Sequence, residues 1–275
     1  MKLGRAVRVF IVPFVILIAV FTIPKFDLQF SVSNLLTIVT FLFTIVVGFF
    51  IASATTNYLG LQSGITQEDA ALIDIFNAGC YVQPSKRKNL AEAIDRYMIV
   101  CLEFDFSHYV MGTLHEFDQL IRVVNSIEPV SDTASSVIQN LHNDLYAITQ
   151  ARHTALLASR RVVKSVHWFI LALLTLLIFV LLFVLRGESV LSNLLIGALA
   201  IVTYLLLVLL YDIDSNVFLE DVKSFIDVEP VFQTIGKPVY YPGYALRDNN
   251  FKPRFKKYRV GFHDSQGRLK IRLVH

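Results

Sequence analysis

The sequence predicts an all-α membrane protein: four transmembrane helices in two hairpins, a cytoplasmic helical bundle and a small C-terminal β-hairpin. Two observations carry that reading. Of the 275 residues, 55% are hydrophobic and only 17% are charged, against about 25% charged in ordinary globular domains. The apolar residues are also concentrated, with no charged side chain in 28–67, 165–185 or 189–211.

A bilayer core asks for roughly 20 predominantly apolar residues per helix. Two of these stretches have that length and are bounded by Lys164, Arg186, Glu188 and Asp212, which places spans at about 165–185 and 190–211. The second span falls at about 34–52, inside the long uncharged stretch. The first, at about 8–24, is shorter and follows Lys2, Arg5 and Arg8. That shape also fits a signal peptide, but Ala19–Lys25 offers no small-x-small cleavage site, so an uncleaved span is expected. The transmembrane hairpins are thus 1–52 and 165–211.

Lys and Arg set the orientation. The connections 24–33 and 186–189 hold one each, Lys25 and Arg186, and the other 23 lie in the N-terminus, in 53–164 or after 212. Both termini and the 53–164 region are therefore expected in the cytoplasm, with the chain in the cell (inner) membrane. Cys80 and Cys101 fall in that region, where disulfides are rare, and read as buried thiols.

The 53–164 region reads helical. Thr66-Gln-Glu-Asp opens one segment, which breaks at Tyr81–Ser85; further helices follow at about 88–110 and 114–126. After Ser131-Asp132 neither Pro nor Gly occurs until Gly187, and Val137, Leu141, Leu145, Ile148, Arg152, Leu156, Ser159 and Val163 keep helical spacing. One helix is expected to run unbroken into the third span. In the 212–275 tail, a Gly- and Pro-rich loop precedes a β-hairpin at 256–274. Tyr258, Val260, Phe262 and Leu269, Ile271, Leu273 are expected on its apolar face.

Four constellations stand out. In the second span Thr37, Thr40, Thr44, Gly48 and Ala52 recur at helical spacing, opposite Phe43, Ile45, Val46, Phe49 and Phe50. Small and hydroxylated residues mark helix contacts in lipid or the wall of a polar pathway, and both readings stay open. Arg152 lies on the apolar stripe of its helix, where a guanidinium needs a partner; Glu68 or Asp69 would serve. Asp212-Ile-Asp214 begins like a calcium loop, but Val217 and Lys223 break the EF-hand pattern. An irregular cation site using Asp212, Asp214, Glu220 or Asp221 stands against a solvated helix end. Finally, Lys257, Arg259, Lys270 and Arg272 form the hairpin's basic face, suited to anionic lipid or simply to water.

Glu103, Asp105, His108, His115, Glu116 and Asp118 are too scattered in phase for a metal site. No P-loop, nucleophile elbow, dinucleotide fingerprint or HExxH appears. No enzyme, cofactor or nucleic-acid reader is expected.

Taken together, the charge-poor second span running into Asn57-Tyr58 and Gln67-Glu68-Asp69, Arg152 and Arg160, and Asp212-Ile-Asp214 after the fourth span resemble the bestrophin-like family of bacterial membrane proteins over roughly residues 30–220. The layout is more distantly similar to true bestrophins. That resemblance implies a homo-oligomer, a pentamer in bestrophins, conducting anions along second spans, with acidic residues after the fourth span helping to bind calcium. The dense acidic run of bestrophins is not reproduced here. A non-conducting scaffold, whose bundle and basic tail bind a protein partner or anionic lipid, is the competing expectation.

Overall fold

A computed structural model describes residues 7–22, 32–104, 108–129, 132–187, 189–215, 227–247, 251–264 and 266–275. The chain divides into two compact units, one comprising 1–58 and 161–217, the other 59–160 and 218–275.

The first unit is helical. A π-helical turn, Val7–Ile11, leads into α1 (Val12–Thr22). The N-terminal part of α2 (Val32–Val82), α7 (Ser165–Val184) and α8 (Val190–Asp214) complete it. The helices α2, α7 and α8 are each long and apolar enough to cross a bilayer, whereas 7–22 is a shorter apolar segment. Residues 23 and 24 of the expected first span lie outside the described residues.

Close approach between α1 and α8 depends on Gly197, where a Cβ would press on Leu17 at 3.1 Å. Val39, Phe43, Val47 and Phe50 of α2 pack with Leu171 and Ile178 of α7. Other large apolar side chains remain outside: Ile45 is 53% and Phe49 65% exposed. A soluble protein would not leave them so, because it has water rather than lipid on that side.

The second unit is built on the C-terminal part of α2, with α3 (Arg87–Glu103), α4 (Tyr109–Gly112), α5 (Leu114–Asn125), α6 (Asp132–Ala158) and α9 (Glu229–Thr234). Leu72, Ile75, Leu90, Ile94, Leu120 and Ile148 form the heart of its core. β1 (Val239–Pro242) pairs parallel to β2 (Tyr258–His263), which pairs antiparallel to β3 (Leu269–Val274). Gly267, at φ +74°, makes the turn between β2 and β3, and the Asp264 carboxylate accepts from the Gln266 and Arg268 amides there.

Several expectations are corrected. The segment expected to start at Thr66 is no separate helix, because α2 runs unbroken for 51 residues. Gly60 and Gly64, each costing about 1 kcal/mol in a helix, sit where α2 meets α6. A Cβ at Gly64 would press on the Ala151 carbonyl at 3.1 Å. Conversely, the helix expected to enter the third span without interruption stops at Ala158, and α7 starts at Ser165. The helix expected to reach Val110 ends at Glu103.

The hairpin faces are also different. Register sets Val260 opposite Arg272, Phe262 opposite Lys270, and Arg259 opposite Leu273. Directly opposed residues share a face, so Leu269, Ile271 and Leu273 lie with Arg259, not with Val260 and Phe262. Neither face is purely apolar or purely basic.

Gly261 sits under the Tyr240 hydroxyl, which donates to Glu103 Oε1 on α3. A Cβ at 261 would collide with that hydroxyl and lie 2.7 Å from Glu103 Oε1. Overpacking of this kind costs about 1–3 kcal/mol. Gly261→Ala should therefore speed proteolysis of the 239–275 tail while membrane insertion, read by alkaline extraction, stays as in the parent. Unchanged protease resistance would show that the sheet does not depend on this contact.

Candidate functional site

The second-span stripe faces outward. Thr37, Thr44, Gly48 and Ala52 are exposed and Thr40 is half-buried, while Phe43 and Phe50 beside them are buried. Within one protomer the stripe is therefore not the packing seam; bulky apolar residues make that seam. The Thr37 hydroxyl donates to the Ser33 carbonyl at 3.0 Å and that of Thr44 to the Thr40 carbonyl at 2.8 Å. The outward surface is uncharged; it mixes these small residues with Phe41, 64% exposed on the same face, and the Thr37 and Thr44 hydroxyl hydrogens are committed to the helix's own backbone. Of the residues expected opposite, Ile45 and Phe49 are exposed and form a third, apolar sector. In the second unit Gln62, Thr66 and Ala70 of α2 are exposed as well, and they continue the stripe's spacing in sequence.

Arg152 is 3% exposed and heavily partnered. It donates to the Tyr97 hydroxyl at 2.5 Å, to Thr113 Oγ1 at 2.9 Å and to the Val110 carbonyl at 2.9 Å. The Tyr97 hydroxyl in turn donates to Glu68 Oε1. The Phe117 ring lies 4.4 Å from the guanidinium carbon. Charge and hydrogen bonds offset a desolvation cost of several kcal/mol. The Val110 carbonyl belongs to the last turn of α4, where helix carbonyls lack intrahelical donors. Arg152 supplies one there.

Of the two expected partners, Glu68 joins Arg152 through Tyr97. Asp69 meets acidic neighbours instead. Burial first, then the charges of Glu68 and Asp227, push its carboxyl well above the usual carboxylate range, and its Oδ2 is buried without a hydrogen bond. Tyr97 was missed from the sequence because it reads as one more residue of an apolar stripe. The usable signal is that a fully buried tyrosine hydroxyl needs a partner. Burial also raises the Cys101 thiol; both cysteines are free and partly buried.

Asp214 has a structural task. Its Oδ1 accepts from the Val162 and Val163 amides at 2.7 and 3.1 Å, serving the segment that separates α6 from α7. This tertiary partner is why no Pro or Gly is needed for the break. Asp212 is buried too. Glu220 and Asp221 lie outside the described residues. Among the described residues no three His, Cys, Asp or Glu side chains converge to hold a metal ion, and with Asp214 so engaged no cation role is assigned.

The basic hairpin residues separate. Arg259 pairs with both Asp95 oxygens at 2.5 and 2.7 Å and donates to the Pro238 carbonyl. It clamps the sheet to α3, so its expected place on a lipid-facing surface is corrected. Lys257, Lys270 and Arg272 are exposed.

Long, apolar, outward-facing helices define an integral membrane protein. The bestrophin-like domain matches residues 10–215, about three quarters of the chain. The chain belongs to the bestrophin-like family. The match begins 20 residues before the resemblance seen in the sequence and ends before the β-strands. No curated protein and no solved structure matches the chain.

A carboxyl raised by folding stabilises fully below its unfolded pKa, about 3.9 for Asp, and that contribution is lost as pH rises towards the native value. Asp69→Asn, which imitates the neutral acid, should therefore raise Tm in detergent by a few degrees at pH 8 and flatten the pH dependence above 4. An unchanged pH profile would show that Asp69 is not held neutral. Asp214→Ala leaves two amides without their acceptor, each worth about 1–3 kcal/mol when buried. It should lower Tm clearly more than Asp214→Asn, which keeps an oxygen; equal melting of both with the parent would refute the capping role.

Proposed function

We propose that this protein assembles into a closed homo-oligomeric ring whose α2 stripes line an axial anion-conducting path. In this reading 8–24 crosses the membrane as a fourth span, the second unit and both termini lie in the cytoplasm, and the membrane is the inner one. The observation that carries it is the outward stripe of Thr37, Thr40, Thr44, Gly48 and Ala52 on a helix that turns Val39, Phe43, Val47 and Phe50 to its own bundle. Small polar groups turned away from the protomer gain nothing from lipid. Around a common axis they line a hydrated passage.

Threonine hydroxyls that donate to their own helix leave the wall able to tolerate water without binding an ion tightly. Conduction needs such weak sites, since an ion must leave as readily as it enters. The preference for anions rests on family likeness, not on any cation in the stripe. A pentamer is the ring size that the likeness to bestrophins favours.

A second reading, a non-conducting scaffold that binds a protein or anionic lipid, is favoured by the exposed Lys257, Lys270 and Arg272. Gly48→Phe, at a position with nothing within 4 Å of an added Cβ, separates the two. It should fold and assemble as the parent but cut halide flux in proteoliposomes at least tenfold; parental flux would sink the pore assignment and leave the scaffold.

A further inference from the structure

Two exposed surfaces of the second unit carry charges of opposite sign. The first is the sheet's outer edge. β3 is six residues long and hydrogen-bonds to β2 on one side, and an uncovered edge is a template for another chain. Lys270 and Arg272 project from one face of it, beside Phe262 and Val260. On the other face Ile271 and Leu273 are 46% and 41% exposed. Lys270 lies 3.5 Å from Asp264, while Arg272 has no ion pair among the described residues.

The second surface is a groove of about 530 Å³ between α2 and α6, lined by Asp74, Asn77, Ala78, Asn140, Asn143 and Asp144. Its polar side chains are all carboxylates or carboxamides, and no cation stands among them. Burial and the negative charge of Asp74 both raise the Asp144 carboxyl. None of the lining residues belongs to the tail.

We propose that the β3 edge docks on the groove of a neighbouring copy, with Lys270 and Arg272 meeting Asp74 and Asp144. Residues two apart on a strand stand about 7 Å apart on one face, a spacing suited to two carboxylates close enough to perturb one another. A guanidinium fork also takes carboxamide oxygens in the same plane, and three asparagines flank the acids. A lipid headgroup would answer the two cations but leave the Asp74–Asp144 repulsion in place. One contact between copies relieves both. Such a contact joins two different patches, and a heterologous contact generates a ring where its rotation closes, as the proposed function requires. The inference rests on the oligomeric part of the proposed function and adds what holds neighbours together.

The test is disulfide trapping of the full chain in native membranes, in a Cys80→Ala background, with Arg272→Cys and Asp144→Cys combined and each single variant as control. A ladder of cross-linked oligomers from the double variant only, and dimers when the two single variants are co-expressed, is the expected result. Charge reversal at 270 and 272 should lower the trapped fraction of an independent cross-linker several-fold, and reversal at 74 and 144 in the same chain should restore it. No ladder while light scattering still reports a ring would overturn this contact and leave the pore proposal intact. A monomer by light scattering would overturn both. An intrachain cross-link, or protection of Arg272→Cys from a water-soluble maleimide only in phosphatidylglycerol vesicles, would overturn it in favour of contact within the protomer or with lipid.

Discussion

A polypeptide that leaves water must satisfy every backbone amide and carbonyl internally, and a helix does so without help from its surroundings. In this protein α2 meets that constraint for 51 residues and contributes core residues to both units. Its N-terminal part sets bulky side chains against α7 and α8. Its C-terminal part sets Leu72, Ile75 and Phe76 into the core of the second unit. Glycines 60 and 64, poor helix formers in isolation, are tolerated because they let α6 come close.

Polar groups then fix what apolar packing leaves loose. Apolar side chains alone would hold α2, α3 and α6 in contact at many rotations. Arg152, Tyr97 and Glu68 select one, since each misplacement would strand a buried charge. The Arg259–Asp95 pair and the Tyr240–Glu103 bond do the same for the sheet on α3. In the first unit, Asp214 at the end of α8 holds the segment that leads into α7.

The proposed conduction depends on what the single chain does not use. The packing seam of α2 consumes Phe43, Val47 and Phe50, leaving the small polar stripe on the outside. A membrane helix with a packed sector, an apolar sector and a stripe of small polar residues set around Phe41 has one more sector than a lone bundle in lipid can use. That surplus is the physical ground for reading the protein as one part of a larger ring.

Much of this was legible in sequence because it is local. Runs of uncharged residues mark membrane helices wherever they fold, and the 3-4-4-4 spacing of Thr37 to Ala52 places those side chains on one face of any helix. Gly267 with Asp264 signals its turn within five residues. The rest depended on partners far away in the chain. Tyr97 bridges residues 68 and 152; Asp214 ends a helix some fifty residues earlier; Asp95 claims Arg259; and the register of β2 with β3 decides which face Ile271 occupies. Membrane character and the stripe were determined by the sequence alone, since transfer free energy and helical phase are properties of consecutive residues. The break after α6, the unbroken α2 and the fate of each buried charge were decided only by the tertiary structure, because a hydrogen bond's worth depends on which distant group arrives to make it.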